Sequence, residues 1–275
     1  MREALVWIVI AAMVMASRAY AAEEKLVEAS LLADVDAVAP GKSFTLGLRL
    51  KMKEHWHTYW LNPGESGEPT QIKFTAPEGF EFGAIQWPLP SKINTNGAIT
   101  YGYENQVLLL IPVTVSKSAS IGGKAEIQAA ASWLSCHDDL CVEGEAKLAI
   151  TLPINDQAKS ASEELFTAWR QRLPVELDAG QAATQQMAGV DELTVTWVNP
   201  PRSVDWYPVS TAAVLIEQVA VEHYQAQTRI RFIPKVFKPE GVSEGRVDGL
   251  LVYEDEQGRR RGIWTPIRIK LVKGD

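Results

Sequence analysis

The chain has 275 residues and a formal net charge of −7, from 27 Lys and Arg against 34 Asp and Glu. That balance leaves no basic surface for nucleic acid, and 46% hydrophobic with 22% charged residues is ordinary globular composition that excludes a disordered chain. Only two cysteines are present, Cys136 and Cys141, so a multiply stapled scaffold is excluded as well.

Met1-Arg2-Glu3, an apolar run from Ala4 to Ala16 and the small-x-small pattern Ala19-Tyr20-Ala21 form the signature of a secretory signal peptide over residues 1–21, cleaved near Ala21. The run is shorter than the about 20 residues that cross a bilayer, which favours cleavage over the rival reading of an uncleaved anchor. The chain from Ala22 onward is therefore expected to be exported, where disulfides persist. It is longer than the roughly 100 to 200 residues typical of one domain, so two domains are expected.

Period-two alternation bounded by Pro, Gly, Asn or Asp predicts strands over residues 27–33, 43–52, 71–75, 105–115, 124–134 and 145–152. Turns fall at Ala39-Pro40-Gly41-Lys42, Asn62-Pro63-Gly64, Pro77-Glu78-Gly79 and Ile121-Gly122-Gly123. This spacing predicts an antiparallel β-sandwich over residues 22–154. Residues 155–175 change to a helical period, with Ser160 or Ser162 as N-cap, Glu163 and Glu164 in the first turn, and Pro174 as the stop. This is a connecting helix that packs Leu165, Phe166 and Trp169 against a sandwich.

The Ala- and Gln-rich stretch 179–189 has the look of a loop. Strand character returns over 193–198, 214–224, 228–234, 246–254 and 262–272, a second sandwich spanning residues 176–275. Arg259-Arg260-Arg261 follows an acidic turn and is expected at a solvated hairpin tip. His223 is expected to be structural or at the surface. Nothing in this half points to chemistry.

Chemistry concentrates in Trp133-Leu134-Ser135-Cys136-His137-Asp138-Asp139-Leu140-Cys141-Val142. Two cysteines at the ends of facing strands fall within the roughly 4.4 to 6.8 Å Cα separation of a disulfide. A loop this short stabilises by only about 2 kcal/mol through chain entropy, a weak staple. Ser135, His137, Asp138 and Asp139 are also polar where a buried staple would be apolar. A redox pair is thus favoured over a structural disulfide or a metal site. His137 would promote thiolate when charged, and the aspartates would oppose it. The metal reading rests on Cys136, Cys141 and His137 with His55 and His57, which could converge on one strand face. Their spacing is not the usual pair of zinc-ligand pairs, and no metal or other cofactor is assigned.

The run His55-Trp56-His57-Thr58-Tyr59-Trp60-Leu61-Asn62-Pro63-Gly64-Glu65-Ser66-Gly67-Glu68-Pro69-Thr70, with Gln86-Trp87-Pro88, Tyr101-Gly102-Tyr103-Glu104 and the cysteine segment, resembles the periplasmic N-terminal region of DsbD and ScsB thiol:disulfide interchange proteins. The order and spacing match over residues 27–153, and the helix and later strands resemble the second half of the ScsB-type region. The resemblance implies two immunoglobulin-like antiparallel sandwiches, with Cys136 and Cys141 shuttling between dithiol and disulfide without a cofactor. It implies that electrons come from a membrane-embedded DsbD- or ScsB-type donor or its thioredoxin-like domain. They then pass to oxidised periplasmic thiol proteins. Cys141 is implied to form mixed disulfides and Cys136 to resolve them.

A cap loop is implied within Asn94 to Tyr103, with Tyr101 and Tyr103 as shielding candidates and His57 and Tyr59 on a strand beside the pair. The four-residue gap between the cysteines differs from the gap in either relative, so hairpin geometry and potential do not carry over. Those relatives continue into a membrane domain and a thioredoxin-like domain that this sequence lacks, so a separate membrane protein is expected as donor. The rival reading is a non-enzymatic binding module for copper or a partner protein, in metal tolerance or cytochrome maturation, with a structural disulfide.

Overall fold

The computed structural model describes residues 25–95, 97–177, 182–187, 190–210, 214–236 and 244–270. The expected signal peptide, its cleavage point and Ala22 lie outside them, as do residues 271 and 272 of the last expected strand.

The first half contributes β1 (Val27–Ala33), β2 (Ser43–Met52), β3 (His57–Gly64), β4 (Gln71–Thr75), β5 (Phe80–Phe82), β6 (Ser91–Thr95), β7 (Ala98–Glu104), β8 (Gln106–Val115), β9 (Lys124–His137) and β10 (Leu140–Pro153). They form two sheets, ordered β1-β2-β8-β5 and β10-β9-β3-β7-β6, with β4 paired to β9. Both sheets are antiparallel and give an immunoglobulin-like sandwich. Strand β9 shows why: Ala125, Ile127, Ala129, Ala131, Trp133 and Ser135 alternate into the interior, while the intervening residues up to Leu134 face outward. Leu46, Leu48, Leu50, Val107, Leu109 and Ile111 of the opposing sheet are fully buried.

Helix α1 is shorter than expected, Glu163–Arg170. Ser162 occupies its N-cap but makes no side-chain cap bond, because its backbone is left-handed at φ 52°. Glu163 and Glu164 in the first turn face the positive end of the helix dipole instead. Phe166 and Trp169 carry the buried face. Gly47 of β2 makes room for it: a Cβ there would lie 3.2 Å from the Phe166 ring and 2.7 Å from Leu108 Cδ1.

The second half contributes β11 (Val175–Glu176), β12 (Ala182–Met187), β13 (Val190–Thr196), β14 (Ser203–Val209), β15 (Val214–Tyr224), β16 (Gln227–Val236), β17 (Glu244–Glu254), β18 (Arg260–Trp264) and β19 (Ile267–Lys270). One sheet is ordered β11-β18-β17-β14 with β19 on β17; the other is β12-β13-β16-β15. Three expectations change here. The stretch expected as a loop carries β12, which pairs with β13. The expected final strand divides into β18 and β19. One pairing, β11 with β18, is parallel. His223 is structural, with its ring nitrogens 2.8 Å from Thr228 Oγ1 and 3.1 Å from the Pro201 carbonyl oxygen.

The sheet containing β14 and β17 is buried on both faces. In β14, Trp206 enters the second core and Tyr207 the first. In β17, Leu251 enters the second core, whereas Leu250 and Val252 enter the first. Each of the three is at most 5% exposed. Period-two geometry thus makes this sheet a common wall between two hydrophobic cores. Polar contacts fix the junction: Lys92 pairs with Asp205, Asn62 Nδ2 donates to the Pro208 carbonyl, and Arg260 Nη2 donates to the Pro90 carbonyl at 2.7 Å. Arg260, though exposed, also reaches the first half, whereas Arg259 stays at the turn, held by Asp255.

Candidate functional site: a disulfide on an outer sheet face

Strands β9 and β10 form a hairpin whose turn is the residue pair Asp138-Asp139. Asp138 adopts φ 49°, a conformation that aspartate tolerates better than most residues. The turn places Cys136 and Cys141 directly opposite one another, one pair in from the tip. They are bonded, with Cα atoms 4.2 Å apart. That short separation belongs to a pair whose backbones do not hydrogen-bond to each other.

The two cysteines differ in exposure. Cys136 is 1% exposed, whereas Cys141 is exposed. Cys136 lies on the outer face of its sheet, since Ser135 beside it faces inward and donates its hydroxyl to the Val142 carbonyl at 3.2 Å. Its burial comes from neighbours on that same face. His57 pairs with Cys136 on one side and with Glu104 on the other, so Glu104, His57, Cys136 and Cys141 stand side by side across β7, β3, β9 and β10. Side chains paired in this way project from the same face about 5 Å apart.

His57 is 5% exposed and meets the Tyr59 ring edge-on at 5.2 Å. Burial pulls its imidazole below the usual pKa; Glu104 opposes that shift and His137 adds to it. Burial also raises the Tyr59 phenol. At the tip, His137 is 41% exposed and lies 3.3 Å from an Asp138 oxygen, stacked on His55 at 5.7 Å and tilted against Trp56 at 5.8 Å. A cleft of about 400 Å³ beside the hairpin is lined in part by Glu68, Leu134, Glu143 and Glu145.

The site candidates therefore divide. Cys136, Cys141, His57 and Tyr59 come together on one face, with His137 at its end. Tyr101 and Tyr103, the expected shield, leave β7 one residue out of step with Glu104 and face inward. Tyr103 is buried and donates its hydroxyl to the Pro88 carbonyl at 2.7 Å, and Tyr101 stacks on Tyr207 at 4.6 Å. The expected cap loop is the hairpin β6–β7, paired to β3. His55 and His57 do not converge, because β3 begins at His57 and His55 sits in the preceding turn at φ 69°. Among the described residues, no group of three or more His, Cys, Asp or Glu could hold a metal ion. Glu104 was missed, because only the register of β3 against β7 brings it into the row.

This hairpin disulfide at the sheet edge coincides with a match of residues 23–153 to the family model described as thiol:disulfide interchange protein DsbD, N-terminal. Residues 23–153 form a DsbD-type N-terminal domain. The DsbD-type match ends at the last residue of β10. A solved structure titled the N-terminal periplasmic domain of ScsB from Proteus mirabilis is similar at 16% identity, with a TM-score of 0.66, over 90% of this chain and 95% of that one. That likeness extends the shared fold through both halves. A protein of unknown function from Porphyromonas gingivalis W83 aligns over 88% of this chain and 100% of its own at 13% identity, with a TM-score of only 0.25. No curated protein sequence matches the chain. Among the described residues, no helix is long and apolar enough to cross a membrane.

Proposed function

We propose that Cys136 and Cys141 are a thiol–disulfide exchange centre, with Cys141 the sulfur that partners reach and Cys136 the resolving sulfur. The observation that carries this reading is the asymmetry of one bond, which joins an exposed cysteine to one that is 1% exposed. A partner thiolate attacks Cys141 Sγ, the bond to Cys136 breaks, and Cys136 departs as a thiolate that takes a proton. A second partner thiolate then attacks the partner sulfur of the mixed disulfide and releases Cys141 as a thiol. Run in reverse, the dithiol reduces an oxidised substrate. The cleft beside the hairpin, lined in part by Leu134 and Glu143, each two residues along the strand from a cysteine, gives a partner segment room.

In this reading the electrons come from a membrane-embedded donor of DsbD or ScsB type, or from its thioredoxin-like domain, and go to oxidised thiol proteins in the periplasm. The DsbD-type match over residues 23–153 and the periplasmic ScsB domain of similar fold support the assignment. Residues 22–154 act as the exchange domain, residues 155–175 as the connection and residues 176–275 as its support.

Single serine variants test it. With an excess of an oxidised thioredoxin-like protein or a small disulfide, Cys136→Ser should accumulate a mixed disulfide at Cys141, and Cys141→Ser should accumulate far less. A native pair that dithiothreitol cannot reduce, or equal trapping by both variants, would overturn the proposal.

A further inference from the structure

Resolution of a mixed disulfide asks the buried sulfur to become a nucleophile. Cys136 at 1% exposure has almost no water to take its proton, and burial in apolar surroundings raises a thiol pKa. A base inside the protein must therefore take it. The cysteine's neighbour on the adjoining strand is His57, whose own neighbour on the next strand is Glu104.

We infer that His57 is the general base that takes the proton of the Cys136 thiol during resolution, with Glu104 stabilising the imidazolium that forms. The inference rests on the exchange reading above. In the step, the Cys136 Sγ–H proton passes to a ring nitrogen of His57 and the Cys136 thiolate attacks Cys141 Sγ. The bond from Cys141 to the partner sulfur breaks and the partner leaves as a thiolate. The imidazolium then returns its proton to solvent or to that thiolate. The mixed disulfide is itself the oxidant, so nothing further is needed.

The electrostatics suit a base rather than an acid. Burial holds His57 uncharged at neutral pH, so the ring is ready to accept a proton. The groups that act on it are Glu104 from β7, which favours the charged ring, and His137 from the end of β9, which disfavours it. His137 is itself flanked by Asp138 and stacked on His55. Tyr59, edge-on to His57, is held neutral by its raised pKa. Glu104 and Cys136 pair with His57 from the strands on its two sides, so a proton arriving from Cys136 is stabilised from the far side.

Stopped-flow mixing of the reduced, full-length mature chain with excess bis(nitrobenzoic acid) disulfide separates the steps, since each sulfur exchange releases one coloured thiolate. The first phase reports Cys141 attack and the second reports Cys136 resolution. His57→Gln should slow the second phase by about 10²-fold at neutral pH, a typical general-base contribution. It should leave the first phase within about twofold. In the native protein the second phase should rise through the His57 titration and level off; in His57→Gln it should keep rising with pH, as an unassisted thiol does. Glu104→Gln, at an exposed position, should move the native rise to lower pH, which keeps the test alive if His57→Gln fails to fold. A second phase unchanged in rate and pH profile in His57→Gln, or a rise unmoved in Glu104→Gln, would overturn the inference. If the native protein releases no second thiolate, the exchange reading fails first.

Discussion

Replacing Tyr207 by alanine tests whether the β14–β17 sheet is a wall common to both cores. Tyr207 is 3% exposed, stacked on Tyr101 at 4.6 Å and 11°, edge-on to Trp60 at 6.4 Å, with Lys92 Nζ 5.6 Å from its ring centre. An aromatic ring of this kind buries roughly 150 Å² or more, and at about 25 cal/mol per Å² its removal costs about 4 kcal/mol. The usual range for truncating a buried aromatic to alanine, about 3 to 5 kcal/mol, agrees. Tyr207→Phe keeps the ring and loses only a 3.5 Å contact with Arg260, so it should cost under about 1 kcal/mol. Urea unfolding followed by tryptophan fluorescence and by circular dichroism gives both values. The ring comes from the second half but fills the first core, so both probes should shift together in one transition. Two transitions of which only one moves, or a loss below about 1 kcal/mol, would refute the common wall.

Three further outcomes follow from local geometry. Gly67 has φ 107° and a Cβ there would lie 2.3 Å from the Tyr59 ring, whereas Gly97 at φ 95° has nothing within 4 Å. Gly67→Ala should therefore cost about 2 kcal/mol more than Gly97→Ala in thermal unfolding, from overpacking added to a similar backbone strain, and equal losses would refute the contact. Because burial lowers the folded pKa of His57, the unfolded chain binds the extra proton first as pH falls below about 6.5. This contribution is fully present above that value and is lost as pH drops through the folded pKa. Urea midpoints of the native chain should therefore fall between pH 7 and 5 by more than those of His57→Gln, and parallel curves would speak against a buried neutral ring. Tyr101, pushed up to about 12 by burial with help from Asp205, Tyr207 and Glu65, should be among the last phenols to ionise. Tyr101→Phe should remove absorbance change from the alkaline end of a spectrophotometric titration; loss near pH 10 would contradict that burial.

The outer strands were legible because one of their faces meets water. β1, β2 and β4 have the expected bounds, and β9 and β10 differ where they extend to the turn, β10 also by one residue at its far end. β3 was not legible: His57, Thr58, Tyr59 and Trp60 are all buried, so no alternation marks them, and Asn62-Pro63-Gly64 looks like a turn although it ends a strand. β12 was hidden by its Ala- and Gln-rich composition, which carries no β-branched signal except Thr184. In β17, Leu250-Leu251-Val252 is an unbroken apolar run, the mark of a strand covered on both sides rather than of an alternating one. At the site, the cysteine pair was readable from spacing and polar context. The places of Glu104 and Tyr207 depend on strand register and on contacts between the halves, which no local pattern encodes.

The long β9–β10 hairpin limits how far the site's shape can change. Its backbone pairing runs without a register shift from Lys124 opposite Pro153 to His137 opposite Leu140, and the disulfide crosses it only one pair from the tip. The remaining pairs hold the register without the disulfide, so opening that bond is expected to leave the outline of the hairpin nearly unchanged. A partner that must bind one form and leave the other has almost no difference in surface to recognise. In the proposed exchange, turnover would then be set by which sulfur holds the covalent link, with the hairpin a rigid contact whose chemical state changes while its form does not.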